Sequence, residues 1–158
     1  MGMRLLVALV LCLVASPALA QFWGHYANAR FGYEIDVPPG FVGQGESDNG
    51  DGQLYYNLGS QQGLAVWGGH LLDSFEQEVA DRLAHASAEN WGISYQASTP
   101  HWASFSGQRD HRIFYQRMIA LCDDTSYAAF RLEHNIGDLA QMQTVVEGLV
   151  RSFRPSDC

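Results

Sequence analysis

Two runs of alternating side chains late in the chain, Gln108 to Ala120 and Ser126 to His134, meet across Asp123-Asp124, and they constrain the fold more than any other feature. Period-two alternation puts successive side chains on opposite faces of a strand, and a tight acidic turn makes the two runs an antiparallel hairpin. With a two-residue turn at Asp123-Asp124, Ile113 faces His134, and His111 lies diagonal to it on the same face. Ile113, Tyr115 and Ile119 then share a face with Ala128, Phe130 and Leu132, an apolar floor for helices. The opposite face is mixed: Arg112, Phe114, Gln116 and Met118 stand across from Tyr127, Ala129, Arg131 and Glu133. A slip of one residue would exchange the faces and bury the charges, so the pattern specifies the register strongly.

Elsewhere the chain alternates strand-like and helix-like segments. Tyr26 to Val37 reads as strand, turn, strand, bent near Arg30-Phe31-Gly32 and stopped by Pro38-Pro39-Gly40. Gly43 to Gly52 reads as a loop, and Leu54 to Leu58 with Leu64 to Trp67 as a hairpin. Ser74 opens a helix, with Gln77 completing a capping box and Phe75, Val79, Leu83 and Ala86 on one stripe. Alternation returns in Ile93, Tyr95 and Ala97, and again around Trp102 to Ser106. Asp138 caps a last helix carrying Leu139, Met142, Val146, Leu149 and Phe153 until Pro155. Hairpin connections imply an antiparallel sheet, and two amphipathic helices must bury their stripes on it. The fold class is therefore α+β, an open antiparallel sheet with amphipathic helices packed on it.

Residues 1 to 20 read as a secretory signal peptide: Arg4, the apolar run Leu5 to Val14, and the small residues Ala18 and Ala20 before a cut ahead of Gln21. That run is shorter than the roughly 20 residues a membrane span needs, and no cysteine follows the cut to take a lipid. The expected product is residues 21–158, a single α+β domain that is periplasmic or secreted, with no membrane span. Eight of the nine arginines and all seventeen acidic residues lie after Ala20, which gives the exported part a formal charge of 8 − 17 = −9. That balance argues against nucleic acid as a partner, and the absence of lysine excludes a Schiff-base mechanism. Cys12 leaves with the leader, so Cys122 and Cys158 are an even pair, read as one disulfide for an oxidising compartment. Two free thiols or a link between molecules are the competing arrangements. The bridge would contribute on the order of 4 kcal/mol at best on the chain-entropy estimate.

Several pieces together carry a family resemblance: Tyr26-Ala27-Asn28-Ala29-Arg30-Phe31-Gly32-Tyr33 through Pro38, Asp48-Asn49-Gly50-Asp51-Gly52, Phe114-Tyr115, and Ser152-Phe153-Arg154-Pro155. The chain resembles small exported bacterial proteins of unknown function whose layout is similar to the PsbP-like fold, named for an extrinsic subunit of photosystem II. The resemblance implies an antiparallel sheet sandwiched by helices, and an accessory or binding role more often than an enzymatic one. It carries over no catalytic residue.

No catalytic or metal constellation stands out. Asp48 to Gly52 gathers carboxylate and amide oxygens as a calcium loop does, but without the spacing and distal Glu of an EF-hand, and a solvated Asx-type turn explains it. The six histidines show no metal-ligand spacing, and His111 with His134 would be half a site. Gly-x-Ser-x-Gly is absent. The candidate ligand-binding residues are Arg112, Gln116, Tyr127, Arg131 and Glu133 on the mixed hairpin face, weighed against a face that merely pairs its own charges. The function expected is a non-enzymatic accessory or binding domain for an unknown protein or small-molecule ligand, with no cofactor and no metal. A periplasmic or secreted hydrolase and a structural envelope-assembly domain are the alternatives.

Overall fold

The computed structural model describes residues 22–156 and Cys158; the leader and its cleavage point lie outside the described residues. Ten strands and two helices follow one another as β1 (Gly24–Asn28), β2 (Tyr33–Val37), β3 (Val42–Glu46), β4 (Gly52–Asn57), β5 (Gln62–His70), α1 (Phe75–Ala88), β6 (Gly92–Ser98), β7 (Trp102–Arg109), β8 (Arg112–Ala120), β9 (Ser126–Asn135), α2 (Leu139–Ser152) and β10 (Arg154–Pro155). Seven strands form an antiparallel sheet in the order β3-β4-β5-β9-β8-β7-β6, and β1, β2 and β10 form a small second sheet. Among the described residues no helix is long and apolar enough to cross a membrane.

The hairpin of β8 and β9 has the register read from its alternation, with Ile113 opposite His134 and Gln116 opposite Arg131. Its turn is longer than two residues, because the ladder closes at Leu121 and Ser126. Asp123 holds that turn by accepting from the Thr125 and Ser126 amides at 3.0 and 2.9 Å, and these bonds, Thr125 first, lower its pKa. Cys122 in the turn is bridged to Cys158, with Cα atoms 5.9 Å apart.

Two boundaries differ from expectation. Gly43 to Gly52 is not all loop, since Val42–Glu46 pairs with β4 as an exposed, bulged edge strand. Gln108 to Ala120 is not one strand: Gln108 and Arg109 end β7, and Asp110 turns the chain with a left-handed φ of 53°. The helices also divide between the two faces of the large sheet instead of sharing one. On one face Leu64, Val66, Ile119, Ala128, Phe130 and Leu132 pack against Met142 and Leu149 of α2 and against Tyr33, Ile35 and Val37 of β2. On the other, Phe105, Phe114, Met118, Tyr127 and Ala129 pack against Phe75, Val79 and Ala86 of α1. Ser74 caps α1 by accepting from the Gln77 amide at 3.1 Å, whereas the Gln77 side chain turns away to Asp81. Asp138 precedes α2 without a side-chain cap bond and instead accepts from Gln62 at 3.2 Å.

The Asp48 to Gly52 segment joins the two sheets. Gly50 and Asp51 carbonyls accept from Asn28 and from the Tyr33 hydroxyl, both at 2.8 Å, while the Asp51 carboxylate is tied inward to Ser47 and Asn49. Burial, with Tyr26 next to it, pushes the Tyr33 hydroxyl well above the usual tyrosine pKa; burial pushes Tyr55 up to about 12.

Candidate functional site

The face that carries α1 is only half covered. α1 lies toward β6, β7 and β8, and the part built by β3, β4, β5 and the end of β9 is bare. β4 pairs Leu54 with Ala65 and Tyr56 with Gly63, so these side chains project to the α1 side, where Leu54 and Tyr56 are 47% and 38% exposed. With Leu58, 84% exposed, they line a hollow of about 380 Å³ whose far wall is Arg112, Arg131 and Glu133. Exposed leucines scattered singly mean little, but these share one concavity.

A second hollow of about 350 Å³ opens beneath α1, between Trp67, Arg82, Glu89, Trp91, Arg109 and Gln116. Arg131 and Glu133 line both hollows and form the ridge between them. The ridge is rigid. Arg131 Nε donates to Glu133 at 2.8 Å, and its guanidinium lies 3.8 Å over the Phe114 ring and 5.1 Å from the Trp91 ring centre. Phe114 is placed for this by Gly107, where a Cβ would come within 2.8 Å of its ring. Arg112 approaches the same Glu133 at 3.8 Å and donates to the Gln61 carbonyl and to Asn135.

The five residues expected to bind a ligand therefore have unequal positions. Arg112, Arg131 and Glu133 stand at the hollows, half-buried, and the charge pairing weighed against binding is present among them. Gln116 lines the second hollow but is only 3% exposed. Tyr127 is buried under α1, where its hydroxyl accepts from Arg82 at 2.7 Å. Burial raises the pKa of Tyr127. Burial opposes the charge of Arg82, but the bonds it donates to Glu78 and Tyr127 outweigh it and hold the guanidinium above its ordinary pKa. All four candidates named with Gln116 lie away from α2, as the alternation required. Sequence reading missed Leu54, Tyr56, Leu58, Arg82 and Arg109. The apolar run Leu54-Tyr55-Tyr56, which cannot put every side chain into one core, was the available signal.

Cyanobacterial PsbP (CyanoP) from Synechocystis sp. PCC 6803 superposes with a TM-score of 0.63 at 12% identity, over 89% of this chain and 96% of that one. The fold is PsbP-like. The Ran-binding protein Mog1p of Saccharomyces cerevisiae shares it, with a TM-score of 0.62 at 10% identity over 87% of this chain and 97% of that one. No protein-family model and no curated protein matches the chain.

Two polar residues that hydrolytic chemistry could use, Ser126 and His134, are both buried. Ser126 lies 3.4 Å from His70, but its hydroxyl donates to Asp123 at 2.9 Å and the residue is 2% exposed, so the proton a base would remove is held elsewhere. His134 is 2% exposed and turned to its neighbour's carbonyl, and among the described residues no three His, Cys, Asp or Glu side chains gather as a metal site.

Proposed function

We propose that the chain is an exported, non-enzymatic accessory domain that binds a partner through the uncovered half of the α1-side face. The observation that carries this reading is the 380 Å³ hollow in which exposed Leu54, Tyr56 and Leu58 meet Arg112, Arg131 and Glu133. Apolar side chains bordered by a stacked arginine are the composition of a recognition surface. The Cys122–Cys158 bridge and the leader-like residues 1 to 20 support export. That a protein of the same fold, Mog1p, is Ran-binding supports binding as the use of the fold, by analogy alone.

A photo-crosslinking residue in place of Leu58, in protein produced and exported by its own cells, tests the reading by intact mass. The expected result is an adduct of one defined mass that is lost when Arg131→Ala is added and absent when the residue replaces Thr144 on α2. No adduct, or equal adducts from both positions, would count against it.

A further inference from the structure

The second hollow holds a side chain that folding does not explain. Gln116 is 3% exposed, and its Nε2 has no hydrogen-bond partner among the described residues. A buried donor without an acceptor destabilises the fold, while an apolar side chain of similar size on β8 would cost nothing comparable. This amide lines a hollow whose other polar walls are the guanidinium groups of Arg82, Arg109 and Arg131, the Glu89 and Glu133 carboxylates and His85.

Those guanidinium groups are held still and keep donors free. Arg109 lies 4.3 Å from the centre of the Trp91 ring and donates one N–H to the Glu89 main-chain carbonyl at 2.9 Å; it has no carboxylate partner among the described residues. Arg131 gives only Nε to Glu133, and Arg82 gives Nε to Glu78 and Nη2 to Tyr127. Two of the acids nearby are engaged by arginine, Glu78 by Arg82 and Glu133 by Arg131 and Arg112, while Glu89 lies 3.5 Å from His85, an ion pair only where that imidazole is protonated. What stays uncommitted is a set of N–H donors on stacked, pre-positioned groups. That is the arrangement that receives a planar or tetrahedral oxyanion.

We propose that the hollow beneath α1 is a binding site for a small organic anion, a carboxylate or phosphate, received by Arg109, Arg131 and Gln116 with Trp67 and Trp91 as its aromatic walls. A volume of about 350 Å³ suits a compact ligand. The inference deepens the reading of this face as the recognition surface, since Arg131 belongs to both hollows, and it names the chemistry of what binds.

The test is calorimetric titration of the disulfide-bonded chain, residues 21–158, at low ionic strength with inorganic phosphate and, separately, with succinate. Saturable binding of at least one is expected, weakened tenfold or more by Arg109→Gln and by Gln116→Leu, and unchanged by Arg154→Gln, which alters an arginine paired with Glu34 on the small sheet. The preferred anion separates a phosphate-bearing ligand from a carboxylate. Gln116→Leu has a second readout: its unfolding midpoint should rise while anion binding falls, a combination that a purely structural glutamine would not produce. No saturable binding of either anion, binding unchanged in both hollow variants, or equal weakening by Arg154→Gln would overturn the inference. The crosslinking from Leu58 reports on the apolar hollow, so a failure here with a defined adduct there leaves the recognition surface standing without its anion site.

Discussion

The two faces of the seven-stranded sheet carry similar apolar strands but are finished differently. The α2 side is sealed: Phe130 and Leu132 are wholly buried, Phe130 packs edge-on against Phe153 with ring centres 5.2 Å apart, and the small sheet completes the cover. The α1 side is sealed over Phe105, Phe114 and Met118 and then stops, leaving Leu54 and Tyr56 in solvent beside arginines stacked on aromatic rings. Burial on the first side serves stability. On the second, large apolar side chains are left out of the core and cations are fixed where a core would have none, which is how a fold reserves a surface at the expense of burial.

The comparison breaks first where the sealed side is cut. Phe130→Ala should cost about 3–5 kcal/mol in denaturant unfolding, because the cavity lies between two layers that cannot collapse independently. A loss under about 1 kcal/mol would mean that the α2 side is not the principal core. Cys158→Ser releases the chain end from the β8–β9 turn and should cost about 2–4 kcal/mol by the same measurement, an effect that reduction of the wild type should reproduce.

On the other side the effects shrink. Arg131→Ala removes a stacked guanidinium and an ion pair but no buried apolar group, so about 1–2 kcal/mol is expected. Stability should also fall in alkali, through tyrosines on both faces of the sheet. Tyr33, Tyr55 and Tyr127 are raised in the folded state by burial, so they favour folding fully below their ordinary pKa of about 10, and that contribution is lost as pH rises through the folded values, about 12 for Tyr55. Melting temperatures between pH 8 and pH 11 would show this as a decline that starts near 10; a flat profile would contradict the burial of these hydroxyls.

The parts of this contrast differed in how plainly the chain announced them. The β8–β9 register was legible because period two puts Ile113, Tyr115 and Ile119 with Ala128, Phe130 and Leu132 on one face and Arg112, Gln116, Arg131 and Glu133 on the other. Strand β3 was not, because Gly43 and Gly45 offer no side chain to alternate and the whole strand is exposed. The break between β7 and β8 hid at Asp110, whose left-handed backbone is an aspartate's conformation but whose neighbours read as strand on both sides. Placing α1 on the far face was beyond periodicity: a stripe of Phe75, Val79 and Ala86 shows that a helix has an apolar side and not which side of the sheet it will meet. For that reason Arg112, Arg131 and Glu133 were found from the alternation, while Arg82, Arg109 and the leucines of the first hollow emerged only with the helix in position.

On the proposed reading, the bare half of the α1-side face is held out of the core. Urea unfolding of a Leu54→Asp, Tyr56→Asp chain measures this most directly, because two carboxylates on a surface already in water cost little, whereas two in a packed interior are ruinous. The expected result is an unfolding free energy within about 1 kcal/mol of wild type and an unchanged denaturant slope, with the Leu58 crosslink lost. A loss of 3 kcal/mol or more would show that Leu54 and Tyr56 are core residues and that this face is not reserved for a partner.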